Sequence, residues 1–354
     1  MSTESGRDSG PAILAVDGGN SKADAILIDR AGVILGAARW IGRSNVGTAD
    51  RSIAVLTDAI AAACADAAVP PERRPVAPVG VYCLAGADFP IDEQRVGRGL
   101  AQGGWTERTV VRNDTFAVLR AGTGRGWGVA VVCGAGMNCL GVGPDGRMVR
   151  FPALGPLSGD LAAGGDWVGL AALGAALRAR DGRGARTALE RSVPRHFGMA
   201  RPETVMNAMH RGRLSRDRLV ELPPTVFEAA MSGDSVARTI LDQVADEVVA
   251  MATAAIRRLR LARADVDVVL GGGMFRSGDD AFAARVERGI RRVAPRANVT
   301  ELTGPPVLGA GLLGLDEIGA PEEATATLRR SIDHATVERS GNRSTSMGPG
   351  DRRA

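Results

Sequence analysis

Residues 13–38 read ILAVDGGNSKADAILIDRAGVILGAA, and this stretch decides the fold. Two apolar runs, 13–16 and 23–28, flank the polar turn Asp17-Gly18-Gly19-Asn20-Ser21-Lys22, and only Asp24 interrupts the second run. Asp29-Arg30-Ala31-Gly32 forms another turn before a third run, 33–38. Short apolar runs joined by glycine-containing turns predict a meander of three strands. Helical composition follows over 52–68. Residues 79–84 and 109–111 are short, β-branched and bounded by glycine or polar residues, which predicts buried strands. Strands interleaved with helices predict an α/β layer.

The same pattern then recurs. Residues 129–132 lead into Cys133-Gly134-Ala135-Gly136-Met137-Asn138, followed by the run 139–142, the turn Pro144-Asp145-Gly146 and more apolar sequence from Met148. A shift of 116 residues lays Asp17 on Cys133, Gly18 on Gly134 and Asp29 on Asp145, which implies an internal duplication of one supersecondary unit. Helices are expected over 168–180, 235–261 and 281–293. A buried strand at 266–270 feeds Gly271-Gly272-Gly273, and a closing helix over 306–318 begins at Pro306. From 338 onward the composition is mostly Ser, Gly, Asn and Arg, which predicts disorder.

A chain of 354 residues suggests about two domains. With 45% apolar and 24% charged residues it is an ordinary globular composition, excluding a disordered or collagen-like chain. Aromatics at 3% argue against a base-stacking surface, so no nucleic-acid partner is expected. The polar first residues do not read as a secretory signal, and no uninterrupted apolar run reaches about 18 residues, so no membrane association is expected. Cys64, Cys83, Cys133 and Cys139 form no CxxC pair and no zinc spacing with the three histidines; they read as free thiols, and the cytoplasm is the expected compartment. Residues 178–218 hold eleven arginines against four acids, read as a solvated surface. Lys22 is the only lysine in the chain.

Glycine clusters at strand ends bring backbone N–H groups close to a phosphate. A Walker A loop needs Gly-Lys-Ser/Thr, whereas Lys22 follows Ser21 and precedes Ala23, so a P-loop is excluded. A Rossmann fingerprint needs a helix after its glycines, but a strand follows Gly134-Ala135-Gly136 and Cys139 stands where the third glycine belongs. A pair of glycine hairpins, one in each half, is left as the way to grip a polyphosphate.

Four motifs, Asp17-Gly18-Gly19-Asn20-Ser21-Lys22, Asn113-Asp114, Cys133-Gly134-Ala135-Gly136-Met137-Asn138-Cys139 and Leu270-Gly271-Gly272-Gly273, resemble in order and spacing the phosphate-1, catalytic, phosphate-2 and adenosine motifs of the actin-like ATPase superfamily. More narrowly the chain resembles the BadF/BadG/BcrA/BcrD ATPase family and, within it, the N-acetylglucosamine kinases. The resemblance implies duplicated actin-like (ribonuclease H-like) domains with a central cleft. The lobes are expected at 11–115 and 116–305, with the closing helix at 306–319 and the tail at 338–354. It also implies an ATP-dependent kinase acting on the 6-hydroxyl of N-acetylglucosamine or a related amino sugar, with Mg²⁺ and a homodimeric assembly.

By the same resemblance Asp17 holds Mg²⁺, while Gly18, Gly19, Asn20, Ser21 and Lys22 line the γ-phosphate side. Gly134, Ala135 and Gly136 hold phosphate, and Gly271, Gly272 and Gly273 face adenosine. Asp114 is the general base. Asn45, Asn113, Asp114, Met137, Asn138 and Asp160 contact the sugar. The chain departs from the kinases at Ala135 and Met137, where hydroxyl residues are usual, and at Leu161 and Ala162, which follow Asp160 where the kinases have Glu and Gly. Two other functions stand beside the kinase: a non-catalytic nucleotide or sugar sensor, and an activator ATPase with an iron–sulfur cluster. Cys83 and Cys139 lack the flanking signature of the activator, and the roughly 12 residues before the first strand are too few for a helix-turn-helix domain.

Overall fold

The computed structural model describes residues 10–42, 49–333, 336 and 337. It divides into two compact units. One holds the described residues up to Ala117 together with those from Gly304 onward, and the other runs from Val118 to Thr303.

In the first unit, β1 (Ile13–Gly18), β2 (Lys22–Ile28) and β3 (Ile34–Ile41) form the antiparallel meander. Asp29 Oδ1 accepts from the amides of Ala31 and Val33, which shapes the second turn. Then come α1 (Ala49–Asp66), β4 (Ala77–Leu84), α2 (Pro90–Gln102) and β5 (Thr106–Asn113). Strands β4 and β5 pair parallel to β1, giving the sheet order β3-β2-β1-β4-β5. The inner strands β1 and β4 are apolar along nearly their whole length because they are the parallel, buried centre of this mixed sheet, with helices packed on it. Leu14, Ile26 and Leu84 are fully buried, each worth about 1.5–3 kcal/mol of apolar burial.

The chain passes into the second unit within α3 (Asp114–Gly122). There β6 (Gly128–Cys133), β7 (Met137–Val142) and β8 (Met148–Arg150) make a second meander, with Asp145 Oδ1 accepting from Arg147 N as Asp29 does in the first. Helices α4 (Gly165–Asp181), α5 (Leu189–His196), α6 (Pro202–His210), α7 (Pro223–Met231) and α8 (Ser235–Arg258) precede β9 (Asp267–Gly271), α9 (Asp280–Val293) and β10 (Asn298–Glu301). The order β8-β7-β6-β9-β10 repeats the first sheet strand for strand, with β9 and β10 again parallel to the first strand of the meander. The chain is therefore a duplicated α/β fold.

Helix α8 shows how sequence makes the second core. Asp234 caps it by accepting from Val236 and Ala237 amides at 3.0 and 2.9 Å, a cap worth about 1 kcal/mol. Ile240, Leu241, Val244, Val248, Met251, Ala252 and Ala255 recur at helical spacing and bury one face against β6 and β7. The helix ends at Arg258, three residues short of the expected 261, because Arg260 turns into the left-handed region at φ 60°.

Residues from Gly304 return to the first unit. Helix α10 (Val307–Glu317) packs on β1, β4 and β2, and α11 (Glu322–Ser331) packs on α10. A Cβ at Gly309 would collide with the Ala117 carbonyl and one at Gly314 with Ile13, so only glycine permits this approach. Helices α2, α5, α6, α7 and α11 were not predicted. Pro194 lies inside α5, where Glu190, Arg191 and Arg195 interrupt the apolar stripe, and α6 and α7 are only nine residues each. All eleven arginines of 178–218 are solvent-exposed. Asn45 and the tail 338–354 lie outside the described residues.

Candidate functional site

In the first unit the chemistry gathers at the carboxyl ends of β1, β4 and β5. Asp17, next to last in strand β1, stands directly opposite Asp24 of β2 and Cys83 of β4. The turn that follows is closed by Gly19 N donating to the Lys22 carbonyl at 2.9 Å. Asp17 is almost fully buried. Burial, reinforced by the like charges of Asp24 and Asp114, holds its carboxyl well above the usual aspartate range.

Strand β5 ends on Asn113, which is 1% exposed and caps α3. Its Oδ1 accepts from Thr115 N at 3.1 Å and from Thr115 Oγ1 at 2.6 Å, and its Nδ2 donates to Asp88 Oδ1 at 3.0 Å. Asp114 opens the helix, its carboxyl pushed up to about 7 by burial and then by the charge of Asp88. A base poised near neutrality, held at a fixed helix end, suits proton abstraction from an alcohol. Cys83 is fully buried, its thiol driven up by burial and by the charges of Asp17 and Asp114.

The second unit presents the other hairpin. Gly134 N donates to Gly136 O at 2.9 Å, and the first amides of α4 grip the hairpin from behind, Gly165 N on Gly134 O and Asp166 N on Ala135 O. Gly164, with φ +86°, and Gly272, with φ +105°, sit where a Cβ would strike the Gly136 and Cys133 carbonyls, so the hairpin and the glycine turn after β9 fit together only as glycines. By contrast a Cβ on Gly134, Gly136 or Gly273 would meet nothing within 4 Å, which leaves open space above those backbones. Met137 is 2% exposed and its side chain belongs to the core, leaving only its backbone to face a ligand. Asn138 bonds the Cys139 amide through Oδ1 at 2.7 Å. Asp160 is held by Ser158 Oγ at 2.9 Å in a turn set by the left-handed Gly159.

Within the first unit the structure brings together Asp17, the turn residues, Asn113 and Asp114. Within the second it brings together residues 134–136 and 271–273, with Met274 N donating to Cys133 O. Sequence reasoning missed Asp24, Arg39, Asp88 and Thr115. The signal for Asp24 was an acid breaking an otherwise apolar strand; Asp88 carried none.

The chain is 28% identical over 191 residues to the N-acetylmuramic acid/N-acetylglucosamine kinase of Clostridium acetobutylicum, covering 54% of this chain and 62% of that protein. It is 28% identical over 210 residues to the N-acetyl-D-glucosamine kinase of Dictyostelium discoideum, covering 58% and 65%. Each match thus spans less than two thirds of the relative's length. A solved structure from Chromobacterium violaceum, provisionally assigned as an N-acetylglucosamine kinase, matches with a TM-score of 0.70 at 24% identity over 87% of this chain and 99% of that one, a likeness of fold. The model of one ATPase family covers residues 14–314, most of the chain and all four motifs. The chain belongs to the BadF/BadG/BcrA/BcrD ATPase family.

Proposed function

We propose that this protein is an ATP-dependent sugar kinase, transferring the γ-phosphate of ATP to the 6-hydroxyl of N-acetylglucosamine or a related amino sugar. The observation that carries the reading is Asp114, buried at the start of α3 with its carboxyl pushed up to about 7, directly after Asn113, whose side chain bonds Thr115 and Asp88. In the reaction Asp114 accepts the proton of the attacking hydroxyl while the new O–P bond forms in line and the bond from the γ-phosphorus to the β-phosphate oxygen breaks, releasing ADP. The curated relatives, named as kinases of N-acetylated amino sugars, support this acceptor class.

The reading assigns phosphate contacts to Gly18, Gly19, Asn20, Ser21 and Lys22 in the first unit and to Gly134, Ala135 and Gly136 in the second, with adenosine over Gly271, Gly272 and Gly273. The open space above Gly134, Gly136 and Gly273 supports it. Asn138 and Asp160 are proposed to bind the sugar. Asn113 is assigned to orienting Asp114.

Magnesium bound with ATP would neutralise the charge that develops on the phosphates during transfer. Among the described residues no group of three or more His, Cys, Asp or Glu forms a protein-only cage. Such an ion keeps several waters and needs only one or two carboxylates beside the phosphates. Asp17 fits that part, since it sits beside Asp24 and Asp114 and a cation relieves their mutual repulsion.

Among the described residues no helix is long and apolar enough to cross a membrane. All four cysteines are buried free thiols, which supports a reducing compartment such as the cytoplasm. The test is ADP release against N-acetylglucosamine, glucosamine, glucose and a muramic-type sugar. Release that depends on an N-acetylated sugar is the expected result. Sugar-independent release would point to the activator ATPase, and binding without release to a sensor.

A further inference from the structure

One row of side chains crosses the sheet of the first unit. Arg39 lies opposite Asp24, Asp24 opposite Asp17, Asp17 opposite Cys83, and Cys83 opposite Arg112. Residues paired in this way share a face of the sheet. The β1–β2 turn therefore stands beside the middle of a charged row that crosses the sheet.

Asp24 is the hub. It is fully buried, and an unpaired carboxylate at that depth would be strongly disfavoured. Arg39 grips it in bidentate fashion, Nε to Oδ1 at 2.7 Å and Nη2 to Oδ2 at 2.9 Å. Lys22 Nζ donates to the same Oδ2 at 3.0 Å. The two cations differ in exposure. The arginine side chain is 11% exposed and the lysine 30%. Arg39 is the inner partner, with a planar fork whose charge is permanent. Lys22 is the outer one, at the edge of the turn, a compact charge on a flexible stem with the more exposed side chain of the two. A free lysine side chain samples many rotamers, and an anion that captures it must freeze them; a tether does that in advance.

We infer that Asp24, anchored by Arg39, is a positioning residue that holds the Lys22 ammonium at the glycine turn, ready for a nucleotide phosphate. The inference rests on the nucleotide-binding reading proposed above. Asp24 touches no phosphate itself; it acts on the nucleotide through the lysine, in addition to the charge it places beside Asp17.

The test is calorimetric titration of the full chain with Mg·AMPPNP, with no sugar present, for the wild type, Lys22→Met, Asp24→Asn and the double variant. Lys22→Met and Asp24→Asn are each expected to weaken binding by about tenfold, and the double variant to bind within about twofold of Lys22→Met, because contacts in one network do not add. Wild-type affinity in Asp24→Asn, or losses that multiply in the double variant, would overturn the inference. If Asp24→Asn does not fold, Arg39→Lys replaces it, keeping the charge but losing the fork. Its weakening is expected to vanish when Lys22 is already methionine; an equal loss in both backgrounds would overturn the inference. A wild-type chain that binds no nucleotide removes the kinase reading itself, and the inference with it, before any variant is compared.

Discussion

In the first unit the β1–β2 turn, 19–21, is flanked by Asp17, Lys22 and Asp24 on its two strands; in the second the β6–β7 turn, 134–136, lies between two strands that hold no charged residue. The two sheets have the same strand order and the same parallel partners. What the fold demands of this element is therefore modest: apolar strands and glycines at the turn. Burying Asp17 and Asp24 works against stability, and the second copy, with a small buried thiol at Cys133, dispenses with both. The Cys133 thiol, pushed up to about 12 by burial, behaves as an inert hydrophobe. A cost accepted in one copy and avoided in its duplicate marks the place where chemistry, not folding, chose the residues.

The largest expected effect falls on Asp114, which has no counterpart in the second hairpin. Asp114→Asn should lower kcat by about 10²–10⁴-fold, the usual contribution of a general base, while calorimetry finds Mg·ATP affinity close to wild type. Retention of more than roughly a tenth of the rate would remove Asp114 as the base.

Next comes a direct contest between the equivalent positions. Asp17→Asn is expected to weaken Mg·ATP binding by about tenfold or more, whereas Cys133→Ala shifts it by less than about twofold. Stability should move the other way. The Asp17 carboxyl binds its proton more tightly folded than unfolded, since its folded pKa lies well above the ordinary 3.8. Stability is therefore lost as pH rises above about 4, and the Asn variant, which cannot ionise, should melt higher by a margin that grows toward alkaline pH. A constant margin across pH would contradict the burial argument.

The glycines divide in the same way between folding and binding. Gly272→Ala forces a Cβ against the Cys133 carbonyl at φ +105°, a strain of about 1–3 kcal/mol that chemical denaturation would register. Gly134→Ala points into open space, so stability should stay within about 0.5 kcal/mol while nucleotide affinity drops severalfold. The smallest effect is on the pH profile. The acid limb of kcat/KM should lie near pH 7, where Asp114 loses its proton, and Asp88→Asn should move that limb to lower pH by removing the like charge that raises it. A limb near pH 4 in the wild type would contradict the assignment.

How much of this was legible in the sequence follows from how local each feature is. The meanders and their glycine turns were readable because period, turn residues and duplication are all properties of contiguous sequence. Asp17, Lys22, Asn113 and Asp114 stood inside recognisable motifs. Asp24 was visible as an acid in an apolar run, but its partner Arg39 lies fifteen residues away and meets it only through the β2–β3 register. Asp88 is more hidden still, since its bond to Asn113 exists only because β4 and β5 lie side by side and end together. Helices α5 to α7 escaped because each is only eight or nine residues long and each contains or begins with proline, while the apolar contacts that form them come from elsewhere in the second core.

The central claim, that the charged copy performs phosphoryl transfer to a sugar alcohol, is tested most directly by phosphorus NMR of the wild-type chain incubated with Mg·ATP and N-acetylglucosamine. A phosphate monoester resonance split by the two protons of the sugar's C6, growing in step with ADP, is the expected result. ADP accompanied only by inorganic phosphate, or no change in the nucleotide at all, would contradict it.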